Sequence, residues 1–176
     1  MKFIAILPQP TEPGHKIQIS GRISNNAEEF SINFANETND HPQSIAYHFK
    51  WDVAKKMLIE DYKEDNEWKK RNATAFDIFD GRFKNKAIND SISNRFIDNN
   101  TIVDTTDTFP HSYSLLGLEF ALEFAFQDDG IYVYMVCEDA RNYVTHFQPE
   151  IDIQFIESVQ VWGDVEKITQ LSFSYN

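Results

Sequence analysis

Apolar and polar residues alternate with a period of two along most of this chain. Ile17 and Ile19 alternate with Lys16, Gln18 and Ser20, and Phe30, Ile32 and Phe34 alternate with Ser31 and Asn33. Ile45, Tyr47 and Phe49 alternate with Ser44, Ala46 and His48; Phe120, Leu122, Phe124 and Phe126 alternate with Glu119, Ala121, Glu123 and Ala125. Successive side chains on a strand point to opposite faces, so each run buries one face and wets the other, as antiparallel sheets do. Further short strands are expected at the N-terminus and at 57–62, 131–137, 143–147, 153–155, 158–162 and 168–174. Turn residues punctuate them at Glu12-Pro13-Gly14, Ser24-Asn25-Asn26, Asp40-His41-Pro42, Asp128-Asp129-Gly130 and Trp162-Gly163-Asp164. Helix is confined to a turn at Val53–Lys56 or near Pro149–Asp152. Many short strands at close spacing predict an all-β sandwich of two antiparallel sheets or a barrel.

One stretch breaks the period. From about 82 to 115 the chain is rich in Asn, Asp, Ser and Thr, with scattered apolar residues such as Phe96 and Phe109. That is too long for an ordinary sandwich loop. It reads as a lid or interaction loop, or as a tolerated surface insertion, and the second is the expectation adopted. The domain reading is a single domain over 1–176 with an insertion at about 82–115.

Composition narrows the function. The 176 residues carry 16 Lys plus Arg against 28 Asp plus Glu, a net charge of −12. Such a field repels nucleic acid and anionic membrane surfaces, so neither is expected as a partner. No stretch approaches the roughly 20 apolar residues of a membrane span, and no membrane insertion is expected. The opening Met1–Leu7 run is too short for a signal peptide, which points to a cytoplasmic location. The single Cys137 excludes an intramolecular disulfide framework and multi-cysteine zinc sites. It lies in an expected strand and reads as a core residue. The five His are scattered, and no phosphate-cradling Gly loop, nucleophile elbow or His-Glu-x-x-His is present. No cofactor, metal or catalysis is expected. Paired carboxylates could serve a glycosidase, but nothing places two of them across a cleft.

The informative stretch runs from His48 to Arg71. On period two, His48 and Lys50 lie on the face opposite Tyr47 and Phe49; if the latter face the core, the former face solvent. The next strand ends at Glu60-Asp61-Tyr62, and an acidic turn leads to Glu67-Trp68. A sugar stacks its C–H face on an aromatic ring and bonds its hydroxyls to planar polar groups, and these residues could supply both.

At this point the chain resembles a galectin. Leu7 with Pro13–Gly21 resembles the family's opening "L..G..I.I.G", and Phe30–Phe34 its "F.INF" strand. Ile45–Phe49 resembles the strand carrying the sugar-binding His, and Phe76–Gly81 the "FPF..G" segment. Phe120–Phe126, Ile131–Val136 and Ile156–Phe173, with Gly163-Asp164-Val165, resemble the closing strands and the "GDV" turn. The resemblance implies a jelly-roll β-sandwich with a glycan groove on its concave sheet. It implies as partner a glycan or glycoprotein, allows a homodimer, and allows export without a signal peptide.

Family members bind through an "H.N.R" run, an Asn on the next strand, the stacking Trp, and a "W..E.R" pair. Here His48 and Trp68 match. Lys50 and Asp52 stand for the Asn and Arg, Asp61 for the second Asn, and Arg71 and Ala73 for the Glu and final Arg; two of seven survive. The implied site is thus His48, Lys50, Asp52, Asp61, Trp68 and Arg71. The family's Arg and Glu lie close, and here their signs are exchanged, so an inverted Asp52–Arg71 ion pair is expected. Two readings follow: a lectin with a strongly altered glycan site and weak or absent lactose binding, or a galectin fold without sugar binding that serves as a protein-interaction module.

Overall fold

The computed structural model describes residues 2–69, 71–76, 119–137 and 140–175. Residues 1–78 and 118–176 group as one unit, and the description concerns that unit. The expected insertion at 82–115 and most of the "FPF..G" segment lie outside the described residues.

The alternating runs form strands as their period requires. In chain order these are β1 (Lys2–Ile6), β2 (Lys16–Ile23), β3 (Glu29–Ala35), β4 (Ile45–Asp52), β5 (Met57–Glu64) and β6 (Glu67–Trp68). They continue with β7 (Asn72–Ala75), β8 (Glu119–Gln127), β9 (Gly130–Cys137), β10 (Ala140–Phe147), β11 (Ser158–Gly163) and β12 (Val165–Ser174). One sheet has the order β1-β11-β3-β4-β5-β6, with β7 also paired to β5; the other has the order β10-β9-β8-β2-β12. All the pairings are antiparallel. The fold is therefore the expected two-sheet sandwich. Among the described residues no helix is long and apolar enough to cross a membrane.

The core is aromatic. Phe30, Phe34, Tyr47, Phe49 and Trp51 from one sheet meet Phe120, Phe124 and Phe126 from the other, all buried. Phe34 and Phe124 meet edge to face with centroids 4.8 Å apart, and Phe30 stacks on Phe120 at 4.9 Å. Each buried ring removes a large apolar area from water, which is the main force holding the sheets together.

A bulge lets one polar link cross that core. Tyr143 pairs with Tyr134, but Thr145 pairs with Val133, so one residue is skipped. The skip turns Thr145 to the inner face, where strict alternation would have left it outside with Tyr143. Its hydroxyl donates to Glu60 Oε2 at 3.0 Å, while Tyr47 Oη donates to Glu60 Oε1 at 2.6 Å. Burial first, then the Glu60 carboxylate, push the Tyr47 phenol well above its ordinary range. Tyr47→Phe should cost about 1–3 kcal/mol, because a buried carboxylate oxygen loses a donor. Urea denaturation would show it; a midpoint unchanged from wild type would mean that the link contributes nothing.

Two expectations fail locally. Residues 153–155 form a 3₁₀ turn rather than a strand, because the Asp152 carboxylate accepts from Gln154 N at 3.0 Å and caps it. Cys137 is exposed, not core. It is the last residue of β9, where the strand has run past the core.

The "GDV" turn has a clear cause. Gly163 has φ +98°, and a Cβ there would lie 2.6 Å from the Glu29 carbonyl oxygen. Asp164 then accepts from Glu28 N at 2.8 Å and Glu29 N at 3.2 Å, tying this turn to the start of β3. Those two amides hold its carboxyl below the ordinary carboxylate range.

Candidate functional site

The outer face of the seven-stranded sheet collects the polar halves of the alternating strands. Because paired residues share a face, the registers arrange it in cross-strand rows. One row runs Gln160, Asn33, His48, Asp61, and the next runs Trp162, Ser31, Lys50, Ile59. Tyr47 and Phe49 do face the core, as expected, and His48 and Lys50 share the opposite face.

His48 is not open to solvent, however. It is only 9% exposed. The Trp68 ring lies across it with centroids 4.5 Å apart and planes at 48°. Trp68 is brought there by a tight hairpin: Asp65 and Asn66 both have positive φ, as a two-residue type I′ loop needs, and Trp68 pairs with Lys63. Trp68 is 47% exposed, and Lys63 Nζ lies 5.9 Å from its ring centroid.

The imidazole has a defined donor and acceptor side. Asn33 Nδ2 donates to Ser31 Oγ at 3.2 Å and to the Gln160 carbonyl at 3.3 Å. Its Oδ1 is left as the acceptor, in contact with His48 Nδ1. Nδ1 therefore carries the proton, and Nε2 is left with a lone pair that can accept from a hydroxyl. Burial, with a smaller push from the Lys50 ammonium, lowers the His48 pKa to about 3, so the ring is neutral across ordinary pH.

The charged positions are largely committed to partners. Lys50 Nζ pairs with Glu29 Oε2 at 2.6 Å, its side chain 26% exposed. Asp61 is buried and accepts from Tyr62 N at 2.8 Å. Asp52 does not pair with Arg71. It accepts from Lys55 Nζ at 2.7 Å and from Lys55 N at 2.9 Å. Those bonds lower its carboxyl below the ordinary range. The turn at 53–56 places Lys55 three residues away, so the local partner wins over the distant one. Arg71 is exposed just before β7, near enough to Lys55 to oppose its charge. The site residues thus divide: His48, Lys50, Asp61 and Trp68 come together, Asp52 serves its own turn, and Arg71 stands apart from it.

Sequence reasoning missed the wall beside them. The loop at 36–44 crosses the face and is tied on both sides. Gln160 Nε2 donates to the Glu37 and Asn39 carbonyls at 3.3 and 3.1 Å, and Ser158 Oγ to the Glu37 carbonyl at 2.6 Å. On the other side, Lys63 Nζ donates to the Pro42 carbonyl at 2.7 Å and Asn66 N to the Gln43 carbonyl at 3.0 Å. Asn33 and Gln160 are fully buried as a result. Their only signal was their place as polar residues in strands whose alternate positions are core.

A depression of about 560 Å³ lies elsewhere, on the outer face of the other sheet. It is the weaker candidate, because its rings are already covered. Arg141 sits 3.6 Å over Tyr134, and His146 stacks on Tyr132 at 4.3 Å. Among the described residues no cluster of His, Cys, Asp and Glu could hold a metal ion.

Comparison with known proteins agrees with the geometry. The family profile described as galactoside-binding lectin matches residues 2–173. Sheep galectin-11, solved in complex with glycerol, is similar at TM-score 0.63 and 12% identity, covering 98% of this chain and 96% of its own. A human galectin-16 double variant is similar at TM-score 0.64 and 14% identity, covering 99% of this chain and 95% of its own. A comparison with curated protein sequences gives no match. At such identities the structures speak for the fold alone.

Proposed function

The chain belongs to the galactoside-binding lectins, and from that premise we propose that it binds a glycan on the Trp68–His48 face through a changed set of polar contacts, with lactose bound weakly or not at all. The observation that carries this reading is the half-exposed Trp68 ring held against a tethered, neutral His48. An indole left open beside an oriented acceptor suits the C–H face and hydroxyl of a sugar. The reading is of a binding protein without catalysis.

The change in preference follows from the groups offered. The face presents an ammonium at Lys50 and a carboxylate at Asp61 where the family's binding pattern has amides. An amide donates and accepts, an ammonium only donates and a carboxylate only accepts. A site built for one hydroxyl pattern rejects another, because buried polar groups are then left unpaired. Lactose should bind more weakly than millimolar, corresponding to less than about 4 kcal/mol. Titration calorimetry tests this, and a micromolar constant for lactose would overturn the altered site.

The second reading, a protein-interaction module, draws on a specific observation. Lys50 and Asp52 are both engaged in ion pairs within the protein, which leaves fewer groups for hydroxyls. It predicts retention of no glycan on an array of neutral structures.

A further inference from the structure

The indole of Trp68 sits on a hairpin that contributes little to its own support. β6 has two residues, and the hairpin pairs only Lys63 with Trp68 and Glu64 with Glu67. One further bond, from Lys69 N to the Tyr62 carbonyl at 3.1 Å, closes it. Its turn residues Asp65 and Asn66 are exposed, as is Trp68. An isolated two-stranded hairpin is marginal in water, so the place of this one over His48 needs support from outside. The loop at 36–44 gives it through two bonds: Asn66 N donates to the Gln43 carbonyl at 3.0 Å, and Lys63 Nζ to the Pro42 carbonyl at 2.7 Å.

That loop contains neither strand nor helix, so its own amides need acceptors. Glu37 supplies them. Its Oε1 accepts from Gln43 N at 2.8 Å and from Ser44 N at 3.2 Å, and its Oε2 from Asn39 Nδ2 at 2.6 Å. A carboxylate binds backbone N–H groups more strongly than a neutral acceptor does. The main chain is anchored at the same residue, where the Glu37 carbonyl accepts from Ser158 Oγ and Gln160 Nε2 on β11. Glu37 thus joins β11 to Gln43, and Gln43 joins Glu37 to the hairpin: the carboxylate holds its N–H, and its carbonyl holds Asn66.

We propose that Glu37 is a positioning residue for the stacking ring: its carboxylate fixes the loop at 36–44, and the loop fixes the hairpin that carries Trp68 across His48. It acts through Gln43 and Asn66 rather than by contact with a ligand. A ring held in place beforehand costs less to order when a ligand arrives. The use made of the ring rests on the glycan reading above, whereas its position is a property of the free protein.

The test is proton NMR of the His48 ring in the full chain, its resonances identified by their absence in His48→Gln. The Trp68 ring lies 4.5 Å away between centroids, so its ring current displaces those resonances, and Trp68→Ala gives their undisplaced positions. Glu37→Ala should lose most of that displacement, while the ring of His15, whose main chain is bonded to β8 in the other sheet, stays as in wild type. Glu37→Gln keeps an amide oxygen able to accept from Gln43 and Ser44, and should keep most of the displacement. On an array of neutral glycans Glu37→Ala should be retained about tenfold less than wild type, approaching the loss of a stacked ring. A folded Glu37→Ala with the wild-type displacement overturns the proposal, as does unchanged retention where wild type is retained. Glu37→Gln losing as much displacement as Glu37→Ala also overturns it, because the acceptor is then not the cause. An insoluble Glu37→Ala does the same, because Glu37 then serves the whole fold. If the displacement is lost as expected and wild type is retained by no glycan, the positioning stands and the lectin reading falls.

Discussion

Acidification from pH 7 to 4.5 should cost this protein about 2–3 kcal/mol through His48 alone. The folded protein binds a proton at His48 only near pH 3, whereas the unfolded chain binds one near the ordinary 6.5. Between those values the unfolded state holds more protons, so stability is greatest above pH 6.5 and falls as pH drops towards 3. At about 1.4 kcal/mol per unit, the whole window is worth about 4–5 kcal/mol. The cause is physical: a charged imidazole under the Trp68 ring would lose its water with only Asn33, a neutral amide, at Nδ1. His48→Gln isolates the effect, because it keeps an amide beside Asn33 but has no proton to gain. Denaturant titrations at both pH values should show wild type losing about 2–3 kcal/mol more than His48→Gln. Most carboxylate protonation lies below this window and is common to the two proteins. Parallel losses would mean that His48 is readily hydrated when charged, and that the lid formed by Trp68 opens.

Gly163→Ala should destabilise by about 2–5 kcal/mol, summing backbone strain and overpacking. At φ +98° an alanine is strained whatever the space around it. Here there is also no space. The added carbon would meet the Glu29 carbonyl oxygen at 2.6 Å and Phe30 Cα at 2.9 Å, both backbone and unable to rotate away. The nearby bonds from Glu28 and Glu29 to Asp164 would be displaced with them. Thermal denaturation should show a large fall in Tm or loss of soluble protein. A variant melting as wild type would show that the turn relaxes at little cost.

The sandwich was legible because its strands alternate: the inward residues of β3 and β8, and Tyr47 and Phe49 of β4, are the apolar members of each run, although a register shift in β4 sends Ala46 rather than Ile45 into the core. The turn at Gly163-Asp164 was legible because few residues meet its backbone demand. His48 and Trp68 were legible as a pair from the resemblance. Three features were not. The bulge between Tyr143 and Thr145 changes which residues face inward, and period two has no sign for a skipped residue. The burial of Asn33 and Gln160 depends on a loop distant from Gln160 in sequence, held by backbone carbonyls that carry no side-chain signature. The partner of Asp52 was misassigned because the resemblance drew attention to Arg71, although Lys55 stood within one tight turn. Proximity along the chain makes that local contact cheap in entropy, and the family pattern contains no information about it.

The proposed glycan binding depends on the exposed indole of Trp68, held over His48, as a sugar-stacking surface. A neutral glycan array probed in parallel with wild type and Trp68→Ala tests it most directly. The substitution removes a half-exposed ring from a two-residue edge strand, so the fold should survive, with circular dichroism as the check. Wild type should be retained on a subset of glycans with lactose absent or faint, and Trp68→Ala should lose that subset. The contradicting result is a folded Trp68→Ala protein whose array matches wild type, or a wild type retained by no glycan at all.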